Sequence, residues 1–236
     1  MSDRDNQASF SYLDIAKMID HSLLRPELTD EIMEQGLQVA LDYDVASVCI
    51  LPHKLKDCSE RLAGSTVQPS TTIGFPHGGQ ATMVKVAEAR QALADGGTEL
   101  DMVVNISRVL SEDWDYVRGD VKAVTDVTHE GDAKVKVIFE NCYLQDAQKI
   151  RLCEICGEIG VDWVKTSTGF GTGGATNEDL ILMRENSPES VQVKAAGGVR
   201  DLDRALEVRA LGVTRFGCTR TIEVLQECRR RLSIKD

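Results

Sequence analysis

Short apolar runs rich in β-branched residues recur along the chain at intervals of roughly 22 to 35 residues. Eight can be read: MIDHSLL, ASVCIL, STTIGF, ELDMVVN, KVKVIFEN, DWVKTST, VQVKAA and TRFGCT. Most of the segments between them have helical periodicity. TMVKVAEARQALADGG is amphipathic and closes on glycines, and LDRALEVRALG does the same behind Asp201 or Asp203 as N-cap. ATNEDLILMREN opens with Thr176 and acids in its first turn, which suits the helix dipole. Eight strands alternating with helices imply parallel βαβ units, and the count favours a closed (β/α)8 barrel of the TIM type over an open sheet. No linker or change of composition divides the chain. The expectation is one α/β barrel domain over residues 11–236, behind a mobile tail at residues 1–10.

Parallel barrel strands are covered on both faces and should be almost wholly apolar. Four consecutive runs break this rule with one parity. Glu99, Asp101, Val103 and Asn105 share a face, as do Lys136, Ile138 and Glu140; Trp163, Lys165 and Ser167; and Gln192, Lys194 and Ala196. Because strand side chains alternate, the apolar faces can pack on helices while the polar faces point into the barrel. Asp101, Lys136, Lys165 and Lys194 are then expected to meet in one cavity near the C-terminal rim. Three lysines against one or two acids balance poorly, and each unpaired buried charge costs several kcal/mol. An interior ion-pair network that merely fills the barrel is the bland alternative. The chemical one is a nucleophilic amine. An ordinary lysine is neutral in only about one molecule in 2,500 at pH 7, whereas burial beside like charge raises that share steeply.

Net charge of −11 with no offsetting basic stretch excludes nucleic acid and anionic membrane as expected partners. The N-terminal MSDRDNQASFSYLDIAK lacks the apolar core of a signal peptide, and no run is long enough to span a membrane. Seven scattered cysteines, several in apolar surroundings, suit reduced thiols in a cytoplasmic protein. Cys153 and Cys156 form a lone CxxC inside a helical run and are read as helix packing. After the seventh and eighth strands stand AAGGVRDLD and GCTRT. Gly197 and Gly198 would let backbone amides approach an anion at the helix start, and Arg200 and Arg220 could add charge-assisted contacts.

IDHSLLRP, ELDMVVN, VKTSTGF and VKAAGGVRDL, in this order, resemble the deoxyribose-phosphate aldolase family over about residues 12–222. The resemblance implies a class I aldolase on a (β/α)8 barrel, with no metal and no other cofactor. Its reaction interconverts 2-deoxy-D-ribose 5-phosphate with acetaldehyde and D-glyceraldehyde 3-phosphate. Carried over by motif, Lys165 is the Schiff-base nucleophile, Lys194 lowers its pKa and helps move protons, and Asp101 is the general acid/base. Asp20, Ser22, Cys49, Lys136 and Thr166 are implied as substrate-side residues. Gly169, Gly197, Gly198, Arg200, Gly217, Thr219 and Arg220 are implied around the phosphate. The resemblance further implies a homodimer.

Two features depart from the family's pattern. Cys218, Thr219 and Arg220 replace the usual small residue and two serines after Gly217, which bears on substrate preference. The chain ends RRRLSIKD, so the tail tyrosine that assists proton transfer in some members is expected to be absent. Other functions stay open at this point. His21, His53 and His77 each follow one of the first three strands and could, with Asp20, form a metal site for a lyase or hydrolase. The barrel could instead be a catalytically silent sugar-phosphate binder, or an aldolase for another short sugar or aldehyde.

Overall fold

A computed structural model describes residues 10–234; residues 1–9 and 235–236 lie outside the described residues. The expected mobile tail at 1–10 therefore falls almost wholly outside them. Phe10, its last residue, packs against the core. Eight parallel strands close into a barrel in sequence order. They are β1 Ile19–Leu23, β2 Ser47–Ile50, β3 Gln68–Ile73, β4 Glu99–Val103, β5 Lys134–Ile138, β6 Trp163–Lys165, β7 Gln192–Ala195 and β8 Val213–Cys218. β1 closes the ring by pairing with both β2 and β8.

The helices are α1 Tyr12–Ala16, α2 Asp30–Asp42, α3 Leu55–Leu62, α4 Thr82–Ala94, α5 Ile106–Leu110 and α6 Trp114–Glu130, followed by α7 Asp146–Ile159, α8 Asn177–Glu185, α9 Leu202–Ala210 and α10 Thr221–Arg231. Caps read in the sequence are present: Thr176 accepts from Asp179 N–H at the start of α8, and Asp201 from Arg204 N–H at the start of α9. Cys153 and Cys156 are both fully buried on α7, as helix packing requires.

The register fulfils the alternation. Asp101 lies opposite Lys136, Lys165 opposite Lys194, and Lys194 opposite Arg215. These polar residues point into the barrel. Leu100, Met102, Val135, Val137, Val164 and Val193 turn outward and are fully buried beneath the helices. Barrel interiors of this class are usually filled by bulky branched side chains; here the filling is largely ionic.

Three strands differ most from their sequence reading, and of these β5 ends at Ile138, three residues short of the run KVKVIFEN. β3 starts at Gln68, two residues before STTIGF, and ends before Gly74, whose φ of +64° turns the chain. β6 ends at Lys165 rather than continuing through Thr168: Thr166 N–H still donates to Lys194 O at 3.2 Å, but Thr168 N–H turns to the Glu140 carboxylate. α4 also departs from a simple amphipathic pattern. Met83 is 78% exposed while Lys85 is fully buried. The burial is possible because Lys85 Nζ is paired with Asp120 of α6 at 2.6 Å and donates to Val103 O at 2.8 Å.

Candidate active site

At the C-terminal mouth of the barrel lies a cavity of about 520 Å³, within the range that takes small ligands. Asp20, Ser22, Cys49, Lys165 and Lys194 line its floor and wall. Beneath the floor sits the charge cluster expected from strand parity. Asp101 Oδ2 accepts from Lys165 Nζ and from Lys194 Nζ, each at 2.7 Å, and its Oδ1 accepts from Lys136 Nζ at 2.9 Å. Asp101 is itself fully buried and reaches the cavity only through Lys165 and Lys194.

The cluster is larger than the sequence reading allowed. Lys136 Nζ also donates to Glu99 Oε2 at 2.6 Å. Arg215, from β8, forks onto Glu99 at 3.1 and 2.6 Å and donates through Nε to Asp20 Oδ1 at 2.7 Å. Asp20 contacts Lys194 Nζ and accepts from Ser47 Oγ at 2.7 Å. Trp163 lies under Lys136 and Arg215, which stand 5.6 and 5.4 Å from its ring centre, a cation–π arrangement. Four cations (Lys136, Lys165, Lys194, Arg215) thus face three carboxylates (Asp20, Glu99, Asp101), all nearly or fully buried. The expectation of one or two acids is corrected to three, and Arg215 joins the lysines. The signal for Arg215 was present: it lies two residues before Gly217, on the face that enters the cavity.

With four positive groups to three negative ones, balance is reached when one cation loses its proton. The local fields decide which. Burial presses Lys165 below the ordinary lysine range, and the neighbouring Lys194 adds to this against the pull of Asp101. Burial would lower Lys194 as well, but Asp101 and Asp20 together outweigh it and hold its pKa up. Lys136 is likewise raised, with Asp101, Glu99 and Asp20 overcoming burial. Arg215 is raised by Asp20 and Glu99. Asp101 is driven well below the usual carboxylate range, since Lys136, Lys165 and Lys194 together outweigh its burial. Lys165 is the one cation of the four whose proton is loosened, and it lines the cavity. Burial pushes the Cys49 thiol up, so the nearby sulfur is protonated.

The glycine-rich end of the cavity is built from loops. Gly169, Gly197, Gly198, Arg200, Gly217 and Thr219 all line the cavity. Gly197 and Gly198 have φ of +78° and +94°, and a Cβ on Gly197 would sit 2.9 Å from Gly174 Cα. Glycine is therefore required where the loops after β6 and β7 touch backbone to backbone. Their junction is sealed by Ala175 N–H donating to Ala196 O at 3.0 Å. Among the residues implied by the family pattern, Asp101, Lys136, Thr166 and Arg220 do not line the cavity. Lys136 lies beneath it, Thr166 accepts from Ala196 N–H at 3.1 Å, and Arg220 precedes α10 with its side chain exposed. Thr168 and Phe170, which sequence reading passed over, are at the surface of the cavity.

The three histidines do not converge. His21 is buried with Nδ1 2.8 Å from Thr221 Oγ1 of α10, while His53 and His77 are exposed on separate loops. Among the described residues no group of three or more His, Cys, Asp or Glu side chains is arranged to hold a metal ion. Nor is any described helix long and apolar enough to cross a membrane.

Residues 15–217 match the model of the DeoC/LacD family aldolases. Deoxyribose-phosphate aldolase of Rhodopirellula baltica is 62% identical over 227 residues, covering 96% of this chain and 94% of that protein. The enzyme of the same name from Thermococcus gammatolerans is 46% identical over 92% of this chain and 97% of its own length. Among solved structures, the tetrameric deoxyribose phosphate aldolase of Aeropyrum pernix superposes with a TM-score of 0.84 at 30% identity, covering 93% of this chain and 92% of that one.

Proposed function

The chain belongs to the DeoC/LacD family of aldolases, and from that premise we propose that it cleaves 2-deoxy-D-ribose 5-phosphate reversibly to acetaldehyde and D-glyceraldehyde 3-phosphate through a Schiff base on Lys165. One observation carries the assignment of the nucleophile. Of four buried cations facing three carboxylates, only Lys165 has its pKa pressed down, and its side chain lines the cavity.

The neutral Lys165 amine adds to C1 of the open-chain sugar, and loss of water gives an iminium. That cation is an electron sink. The C3 hydroxyl proton is removed, the C2–C3 electron pair moves onto C2 to form an enamine, and D-glyceraldehyde 3-phosphate departs. Protonation of C2 and hydrolysis of the new iminium then release acetaldehyde and the free lysine. Asp101 is the proton store for these steps. While Lys165 is neutral, one of the three cations that hold the Asp101 pKa down is gone, so the affinity of Asp101 for a proton rises. Because Asp101 lies below the cavity surface, a water links it to the C3 hydroxyl. Lys194, held charged between Asp101 and Asp20, keeps Lys165 deprotonated and stabilises the hydroxide leaving from the carbinolamine.

The phosphate is placed against the backbone amides of Gly169, Gly197, Gly198 and Gly217, with Thr219 and Arg200 at the rim, where loops after the last strands of such barrels recurrently bind phosphate. Arg220 is assigned an outer electrostatic role, since its side chain does not line the cavity. A homodimer and a cytoplasmic location complete the proposal; the latter is supported by seven free cysteines, six of them buried. The test is turnover: acetaldehyde released from deoxyribose 5-phosphate, coupled to a reductase. Loss of turnover in a folded Lys165→Ala protein is expected; retained turnover would exclude Lys165 as nucleophile.

A further inference from the structure

Just past β5 stands a carboxylate that the proposed chemistry leaves unused. Glu140 is 2% exposed and adopts a left-handed conformation, φ 57° and ψ 62°. Side chains other than glycine take this conformation only where the surroundings impose it. The hydrogen bonds show what imposes it. Phe139 N–H donates to Lys165 O and Asn141 N–H to Thr166 O, both at 2.9 Å, so two residues on this strand are spent against one on β6. Glu140 is the extra residue of that bulge, and such bulges re-aim a side chain.

Its carboxylate is aimed at the glycine-rich loop after β6. Thr168 N–H donates to Oε1 and Oε2 at 3.2 and 3.3 Å, and the Thr168 hydroxyl donates to Oε2. That hydroxyl in turn accepts from Phe170 N–H at 3.0 Å. On the other side the carboxylate abuts Gly171, where a Cβ would stand 3.0 Å from Glu140 Cδ. Thr168, Gly169 and Phe170 line the cavity, and further along the same loop Gly174 packs on Gly197. We infer that Glu140 is a positioning residue which, through Thr168, fixes the loop after β6 so that it and the abutting Gly197–Gly198 turn are preorganised to receive the substrate's phosphate.

This rests on the deoxyribose-phosphate aldolase function proposed above and adds a determinant of affinity for the phosphorylated end. A charge-assisted anchor of this kind, when lost, is expected to cost on the order of tenfold to a hundredfold. The experiment compares wild type, Glu140→Ala, Glu140→Gln and Gly171→Ala on 2-deoxy-D-ribose 5-phosphate and on unphosphorylated 2-deoxy-D-ribose. Borohydride trapping of acetaldehyde on each protein reports separately on the nucleophile.

Glu140→Ala should raise KM for the phosphorylated sugar on the order of tenfold or more, with kcat, trapping and KM for deoxyribose nearly unchanged. Glu140→Gln, which keeps one acceptor, should recover part of the loss. Gly171→Ala disturbs the same carboxylate from the opposite side and should give the same signature even if Glu140→Ala folds poorly. An equal rise in KM for both sugars, or an unchanged KM for the phosphorylated one, would overturn the inference while leaving wild-type trapping and turnover intact. Wild type that neither traps acetaldehyde nor cleaves either sugar would overturn the proposed function and this inference together.

Discussion

Replacing Lys194 by methionine removes a charge while keeping most of the side-chain volume. Lys165 and Lys194 nitrogens each lie 2.7 Å from the same Asp101 oxygen, so they are no more than about 5.4 Å apart, twice that distance. At an effective dielectric of about 20, two like charges at that separation repel by about 3 kcal/mol. This is on the order of a hundredfold in the share of Lys165 that is neutral at a given pH. Asp101, freed of one cation, also attracts the Lys165 proton more strongly, so both effects have one sign. Activity depends on the unprotonated amine and therefore rises with pH through the Lys165 pKa.

The assay is kcat/KM for deoxyribose 5-phosphate against pH, which reports groups of the free enzyme. Lys194→Met should move the limb that rises from acid to higher pH, with up to about a hundredfold loss near neutrality that is partly regained in base. Lys194→Arg should leave the limb nearly in place. A Lys194→Met protein with the wild-type limb and a uniform loss at every pH would refute the electrostatic role and leave Lys194 as a proton carrier alone.

Three further outcomes follow from the same geometry. Arg215→Met leaves Glu99 and Asp20 short of a buried cation and should cost about 3–5 kcal/mol, or roughly 10 °C in Tm for a chain of this size. A melt within a degree or two of wild type would contradict the ion count. Asp20 and Asp101 have folded-state pKa values below their ordinary range, chiefly because Arg215, Lys194 and Lys136 outweigh burial for the first, and Lys136 and Lys165 for the second. The stability they contribute is fully present above the ordinary carboxylate range and is lost as pH falls below it, so melting temperature should decline in acid and stay level above about pH 5. Arg200→Ala should raise KM for the phosphorylated sugar several-fold, whereas Arg220→Ala should change it little, because only Arg200 lines the cavity; the reverse order would relocate the phosphate.

The barrel was legible because strand and helix periodicities differ and eight strand-like runs are evenly spaced. The buried lysines were legible for a second reason: charges at one parity of consecutive strands have few places to go but the barrel interior. Parity gave Asp101, Lys136, Lys165 and Lys194 their common site, and the registers place them there. Other features depend on distance across the barrel, which no local pattern encodes. Asp20 and Arg215 are nearly the length of the chain apart in sequence, yet lie 2.7 Å apart, because β1 and β8 close the ring. Lys85 on α4 resembles a solvated helix lysine until Asp120 of α6 is placed against it. Glu140 shares the parity of Lys136, but its left-handed turn and its bond to Thr168 arise only when β5 and β6 lie side by side.

The most direct test of the charge balance that singles out Lys165 is to incubate the protein with acetaldehyde, reduce with borohydride, digest, and locate the added ethyl group. A single adduct on Lys165, absent from Lys165→Ala, is the expected result. An adduct on Lys194 or Lys136 in the wild-type protein, or none on any lysine of the folded protein, would contradict it.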